Sequence, residues 1–189
     1  MRYEIRIAGT GGQGVITAGL ILAEAGIFNG HHVVHTQNYG PEARGGTSVC
    51  GVIFSDEEIE YPKTIALDLL LALNQQACDK NLPDMKPDGL VIVDSDQVQK
   101  VQWGKTLKVP ISSKAKETLN NSRTANMLAL GTLVAACPLV SPISARKAIA
   151  HVMSRDIKLN LAALEQGLTL GRLLKKGLYR REIEGTAEL

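Results

Sequence analysis

The stretch YEIRIAGTGGQGVITAGLILAEAGIFNG, residues 3–30, decides the fold. Residues 3–8 place apolar side chains at near-alternate positions, the pattern of a strand. Four glycines then crowd into residues 9–14, where neither a strand nor a helix continues without cost. Residues 15–29 carry Ala, Leu and Ile at helical spacing and close on Gly30. Strand, tight turn and helix in that order form the opening unit of an α/β protein with a mainly parallel sheet.

Outward from this unit, residues 31–36 (HHVVHT) and 47–54 (TSVCGVIF) have the β-branched character of strands. The second could add antiparallel strands to the sheet. Residues 68–74 are short and apolar, 74–81 fit a helix, and 89–94 (GLVIVD) form the continuous apolar run of a strand covered on both faces. One more strand fits 106–109, stopped by Pro110. Beyond it 112–119, 124–136, 141–153 and 159–176 all have helix periodicity, several with Ser, Thr or Asn near the start. The expected architecture is a three-layer α/β/α sandwich with a mainly parallel or mixed sheet. It spans residues 1–189 as a single domain, and the charged tail after about residue 179 is expected to fray.

Composition narrows the function classes. The chain has 189 residues, 44% hydrophobic and 21% charged, with 21 Lys+Arg against 19 Asp+Glu. A net charge of +2 gives no electrostatic reason to expect nucleic acid or an anionic membrane as partner. Cys50, Cys78 and Cys137 lie far apart without a CxxC pair, which argues against a thiolate-bound zinc or iron–sulfur site and against a disulfide scaffold. The N-terminus runs straight into a strand with no signal-peptide pattern, and the most apolar segment is too short for a bilayer, which takes roughly 20 apolar residues. A reducing cytoplasm is the expected compartment.

Two loops carry chemistry. Gly9, Gly11 and Gly14 fit GxGxxG between a strand and a helix, where free N–H groups and the positive helix end favour phosphate or carboxylate. A nicotinamide dinucleotide would also want an acid at the end of the second strand, where this chain has Gln37 and Asn38. No Lys-Ser/Thr follows the turn, so it is not a P-loop. The competing reading is that these glycines only let the first helix pack closely on the sheet. Residues 38–46 (NYGPEARGG) gather an aromatic ring, a carboxylate, a guanidinium and two glycines. Arg44 offers a fork of donors suited to carboxylate or phosphate, although Glu42 and Arg44 could equally be a surface pair of little consequence. The loop after a second strand is expected to sit beside the loop after the first, at the carboxyl ends where ligands bind.

These motifs make the chain resemble the gamma subunit of the 2-oxoacid:ferredoxin oxidoreductases. The resemblance rests on GTGGQGV at 9–15, YGPEARGG at 39–46, DLLLAL at 68–73, GLVIVDS at 89–95 and Val109-Pro110. Ala125-Asn126-Met127 with Leu130-Gly131, and 160–164 with Gly167, extend it over nearly the whole chain. Among subclasses it looks most like the 2-oxoglutarate enzyme, with the pyruvate, 2-oxoisovalerate and indolepyruvate enzymes as alternatives. A free-standing dinucleotide-binding module is the alternative from another class.

The resemblance implies coenzyme A-dependent oxidative decarboxylation of a 2-oxoacid to acyl-CoA and CO2, with thiamine diphosphate, magnesium and [4Fe-4S] clusters in the complex. This chain has no Gly-Asp-Gly motif and no cysteine cluster, so it is expected to bind none of these alone and not to turn over alone. Alpha, beta and delta-type subunits are the implied partners, and ferredoxin is reached through the complex. The chain's implied part is assembly, closure of the active site and acceptance of coenzyme A. No residue is assigned a catalytic or metal-binding role. Matching the family motifs are Gly11, Gly12, Gln13 and Gly14, then Tyr39, Glu42, Arg44, Gly45 and Gly46, and also Asn126. Asn126 has a competing role in capping or bonding a backbone group. Asn160 matches a further family position. Strand alternation separates His32 from His31 and His35, which opposes a metal site.

Overall fold

Alternation at the N-terminus builds strand β1, Arg2–Thr10, with Ile5 and Ile7 fully buried on one face and Glu4 and Arg6 on the other. The structure, a computed structural model, describes residues 1–39, 46–119 and 122–186. After β1 come α1 (Val15–Phe28), β2 (His32–Tyr39), β3 (Thr47–Ser55), β4 (Leu67–Ala72), α2 (Gln75–Asn81) and β5 (Met85–Asp94). β6 (Thr106–Val109), α3 (Ile111–Leu119), α4 (Ala125–Ala136), α5 (Pro142–Val152) and α6 (Ile157–Thr186) complete the chain. The elements fall where periodicity places them. The backbone of α6 stays helical past residue 179 to Thr186, through a segment that holds the helix formers Arg180, Arg181, Glu182 and Glu184.

The sheet has six strands in the order β2-β3-β1-β4-β5-β6. β1, β4, β5 and β6 pair in parallel, while β3 runs antiparallel to both β1 and β2. The sheet is therefore mixed, and β2 is not the neighbour of β1. A connection of only seven residues, 40–46, separates β2 from β3, too short for a parallel crossover, so β3 returns as the antiparallel partner of β2.

The two faces are covered unequally. One core joins Ile5, Ile7, Cys50, Val52, Phe54, Leu69, Leu71 and Ile92 of the sheet to α1, α3, α4, α5 and α6. The other gathers Ala8, Leu70, Ala72, Val91 and Val93 under the single short helix α2 and the 95–105 segment, where Trp103 donates to the Gly89 carbonyl at 2.8 Å.

On the heavy face α4 and α6 run side by side in backbone contact. A Cβ added to Gly167 would stand 2.0 Å from the Leu128 carbonyl oxygen, and one added to Gly131 would stand 2.2 Å from that of Leu164. Thr132 Oγ1 donates to the Gly167 carbonyl at 3.3 Å across the same crossing. These glycines are needed for close approach, and the obstacle is backbone that cannot swing aside.

The light face holds a polar network at the lower end of β1. Glu4 is 3% exposed and accepts from the Ile65 and Ala66 N–H groups, at 2.6 and 3.0 Å, and from Arg2 Nε at 2.7 Å. Arg6 donates to Thr64 Oγ1 and its carbonyl, to Asn81 Oδ1 and to Asp84. Together they fasten the 56–66 connection to the sheet. Burial raises the Glu4 carboxyl, but the Ala66 N–H, the Arg2 guanidinium and the Ile65 N–H outweigh it and hold the group below its ordinary value.

Two outcomes follow from this packing. Gly167→Ala is expected to cost about 3 kcal/mol and to lower Tm by about 6–12 °C in a circular-dichroism melt. Glu4 takes up its proton at lower pH in the folded chain than in the unfolded one, so its stabilisation is present above the unfolded value, ~4.3, and is lost as pH falls through the folded value. Urea titrations between about pH 3 and 7 should show the advantage of the wild type over Glu4→Gln holding level down to about pH 5 and shrinking below it. An advantage constant across that range would rule this out.

Candidate functional site

The edge formed by the carboxyl ends of the parallel strands carries the glycine turn. Gly12 and Gly14 take positive φ, 91° and 69°, and Gly14 in the left-handed region starts α1 with no side-chain cap. A Cβ at Gly14 would collide with the Asn126 side chain 2.3 Å away, so this glycine answers both to its backbone angle and to its neighbour. Gly11 and Gly12 are exposed.

Gln13 folds back onto the turn. Its Oε1 accepts from Thr10 N at 2.7 Å and from Asn74 Nδ2 at 3.4 Å, and its Nε2 donates to the Leu73 carbonyl at 3.4 Å. It ties the end of β1 to the end of β4. Asn74, which sequence reasoning passed over, also caps α2 by accepting from Ala77 N at 2.8 Å. Its signal was present as an Asn immediately before a helical segment.

Asn126 stands in the first turn of α4 and donates from Nδ2 to the Gly14 carbonyl at 3.3 Å. The starts of α1 and α4 are thereby brought together. Its Oδ1 is buried and has no hydrogen-bond donor among the described residues. The backbone-bonding role is therefore real, and it leaves one acceptor unused at the turn.

The two loops do meet, by a route other than the expected one. β1 and β3 pair from Arg2↔Ser55 to Thr10↔Thr47, so the start of β3, not the end of β2, adjoins the turn. Gly11 N donates to the Gly46 carbonyl at 2.8 Å. Tyr39 closes β2 opposite Ser48. Glu42, Arg44 and Gly45 lie outside the described residues. With β3 between β1 and β2, the end of β2 is displaced from the turn, and an acid there could not reach a ribose as it does where the two strands are neighbours.

The remaining candidates are structural. His31 Nε2 lies 3.1 Å from the Leu139 carbonyl, His32 is exposed, and His35 sits beneath Gly19 of α1, where burial lowers its basicity. Among the described residues no group of three or more His, Cys, Asp or Glu could hold a metal ion. Cys50 and Cys137 belong to one core and Cys78 to the other, and burial pushes their thiols up to about 12, 11 and 11 respectively. That scattered donor set does not fit an iron–sulfur cluster. Asn160 is buried and donates to the Asp156 carbonyl at 3.1 Å. Asp94, also missed in the sequence, is 1% exposed and accepts from the Ile111 and Ser112 N–H groups at the start of α3. Among the described residues no helix is long and apolar enough to cross a membrane.

The carboxyl edge of this mixed α/β sheet therefore carries a glycine turn braced by Gln13 and Asn126. The family model described as Pyruvate ferredoxin/flavodoxin oxidoreductase matches residues 4–170, and the chain belongs to that family. It is 40% identical over 180 residues to the 2-oxoglutarate synthase subunit KorC of Methanocaldococcus jannaschii, a match covering 92% of this chain and 96% of that one. The crystal structure of the keto/oxoacid ferredoxin oxidoreductase gamma subunit from Geobacter sulfurreducens superposes with a TM-score of 0.78 at 43% identity, over 89% of this chain and 98% of that one. The 2-oxoglutarate:ferredoxin oxidoreductase of Magnetococcus marinus, solved with 2-oxoglutarate, coenzyme A and succinyl-CoA bound, matches with a TM-score of 0.80 at 25% identity. That match covers 92% of this chain but 31% of the longer one. The chain is thus a gamma-type subunit of an oxoacid oxidoreductase.

The bracing of the turn ranks two substitutions. Gln13→Ala orphans the Thr10 N–H and is expected to cost about 1–3 kcal/mol, whereas Asn126→Ala removes one long bond and should cost nearer ~1 kcal/mol. Urea midpoints at constant m value would read this order. The reverse order would mean that the turn hangs on α4 instead of on Gln13.

Proposed function

We propose that this chain is the gamma subunit of a 2-oxoglutarate:ferredoxin oxidoreductase, acting with alpha, beta and delta-type subunits in the cytoplasm to convert 2-oxoglutarate and coenzyme A to succinyl-CoA and CO2. The observation that carries the substrate is the near full-length likeness to a 2-oxoglutarate synthase subunit. Thiamine diphosphate, magnesium and the [4Fe-4S] clusters that pass electrons to ferredoxin then belong to the other subunits. Thiamine diphosphate supplies the decarboxylating chemistry where it is bound.

In this reading the chain's own contribution is the carboxyl edge. Exposed glycine backbone at Gly11 and Gly12, beside the uncapped start of α1, suits the phosphates of coenzyme A. Asn126 backs this turn from α4 by holding the Gly14 carbonyl. Tyr39, Glu42, Arg44, Gly45 and Gly46 form the second half of the proposed contact, with Arg44 supplying a cation for the anionic ligand.

The test is a complex assembled with and without this chain and assayed for coenzyme A-dependent reduction of ferredoxin. Activity should require the chain and should favour 2-oxoglutarate over pyruvate, 2-oxoisovalerate and indolepyruvate. Arg44→Ala should leave assembly intact and raise the KM for coenzyme A by about tenfold or more, the loss of one charge-assisted contact. Full activity without the chain, or preference for another oxoacid, would overturn the proposal. An unchanged KM would remove Arg44 from the coenzyme A site.

A further inference from the structure

The sheet changes its winding beside the glycine turn. β1 and β4 are parallel neighbours, paired from Ile5↔Leu69 to Ala8↔Ala72, and the helices that follow them leave on opposite faces. α1 joins the core of Ile5, Ile7 and Leu69, while Ala77 and Cys78 of α2 join the core of Ala8 and Leu70. Where crossovers part in this way a crevice opens outside the carboxyl ends of the two strands, and open α/β sheets seat their ligands in it. In this chain the crevice lies between Thr10, the last residue of β1, and Leu73–Asn74 after β4.

A side chain of the protein itself occupies this crevice. Gln13 Oε1 accepts from Thr10 N at 2.7 Å on one wall, and Gln13 Nε2 donates to the Leu73 carbonyl at 3.4 Å on the other. Asn74 Nδ2 donates to the same Oε1 at 3.4 Å. Gly9 records how close the fit is. Its φ is not positive, so its backbone angle does not call for glycine, yet a Cβ on it would stand 2.5 Å from Gln13 Oε1 and 3.3 Å from Leu73 Cβ. The room left by the first glycine of the GxGxxG turn is therefore filled by an amide. Asn74 is fixed independently, because its Oδ1 caps α2 by accepting from Ala77 N at 2.8 Å.

We infer that Gln13 is a specificity-determining residue: its amide closes the crevice between β1 and β4 to the phosphate and sugar of a nucleotide, and leaves an anionic ligand only the outer rim, the exposed backbone of Gly11 and Gly12. A phosphate seated between the strands needs the Thr10 N–H and the space over Gly9, and Gln13 holds both. Displacing the amide also strips the Leu73 carbonyl of its donor. A phosphate offers acceptors and no donor, so it cannot replace that bond. In the coenzyme A reading above, the diphosphate then lies across Gly11 and Gly12 with the adenosine outside the crevice. The exclusion of a nucleotide from the crevice does not rest on that reading.

Calorimetric titration of the full-length chain with ADP separates a plug from a brace. Gln13→Ala empties the crevice and should tighten ADP binding at least about tenfold over the wild type. Gln13→Met loses the same hydrogen bonds but refills the space with a side chain of similar length, and it should bind ADP no better than the wild type. Asn74→Ser keeps a cap on α2 and frees one side of the amide, so it should tighten ADP by about threefold. It decides the matter where circular dichroism shows Gln13→Ala unfolded. An ADP affinity that neither Gln13→Ala nor Asn74→Ser raises would overturn the inference. So would an equal gain in Gln13→Ala and Gln13→Met, since loosening of the turn would then be the cause. Failure of the coenzyme A reading shows elsewhere, as an unchanged KM in the Arg44→Ala complex, and leaves these ADP affinities as they are.

Discussion

Everything distinctive in this chain depends on the antiparallel pairing of β3 with β1. The pairing runs the whole length of both strands, from Arg2↔Ser55 to Thr10↔Thr47. Since β3 runs against its neighbour, its first residue stands beside the last residue of β1, and the Gly11 N–H reaches the Gly46 carbonyl. The two motif-bearing loops therefore meet at one point of the edge although the strand between them has been moved outward. The same insertion makes β2 an edge strand and seats α1 over β3, where Gly19 and Gly26 admit Cys50 and Phe54. One strand reversal thus sets both the composition of the site and the order of the strands beside it.

Much of the fold was legible because the signals are local. Alternation in 3–8, the apolar run of 89–94 and the Pro stop after 109 each concern a few consecutive residues, and each element forms there. Adjacency was not legible in the same way. Periodicity states that 31–36 and 47–54 are strands but is silent on which of them lies next to β1, and only the short 40–46 connection hints at the return. The site shows the same division. The glycines of 9–14 announce a turn by composition alone, and Gly14 does sit at positive φ. That Gln13 bonds the turn internally while Asn126 keeps a free acceptor depends on contacts 60 and 112 residues away in sequence. No spacing rule reaches that far.

The thin second face follows from where polar groups are spent. β1 sends Glu4 and Arg6 to that side, and each is consumed by the 56–66 connection and by Asn81 and Asp84 at the end of α2. A buried charge needs its partners close and well directed, so this half of the face is closed by hydrogen bonds and not by a second helix. The apolar remainder is small enough for α2 and the 95–105 segment to cover. The heavy face shows the opposite economy, with glycine-lined contact between α4 and α6 allowing a close helix layer.

Within the described residues the groups left without a full set of partners are therefore few and grouped. Asn126 Oδ1 lies beside the Gly14 turn at the carboxyl edge, and His35 Nε2 lies beneath Gly19 of α1. Both atoms adjoin α1, one at its start and one under its middle. A subunit of a larger oxidoreductase fills its own core wherever it contacts only itself. Its unsatisfied groups then mark where something else is required.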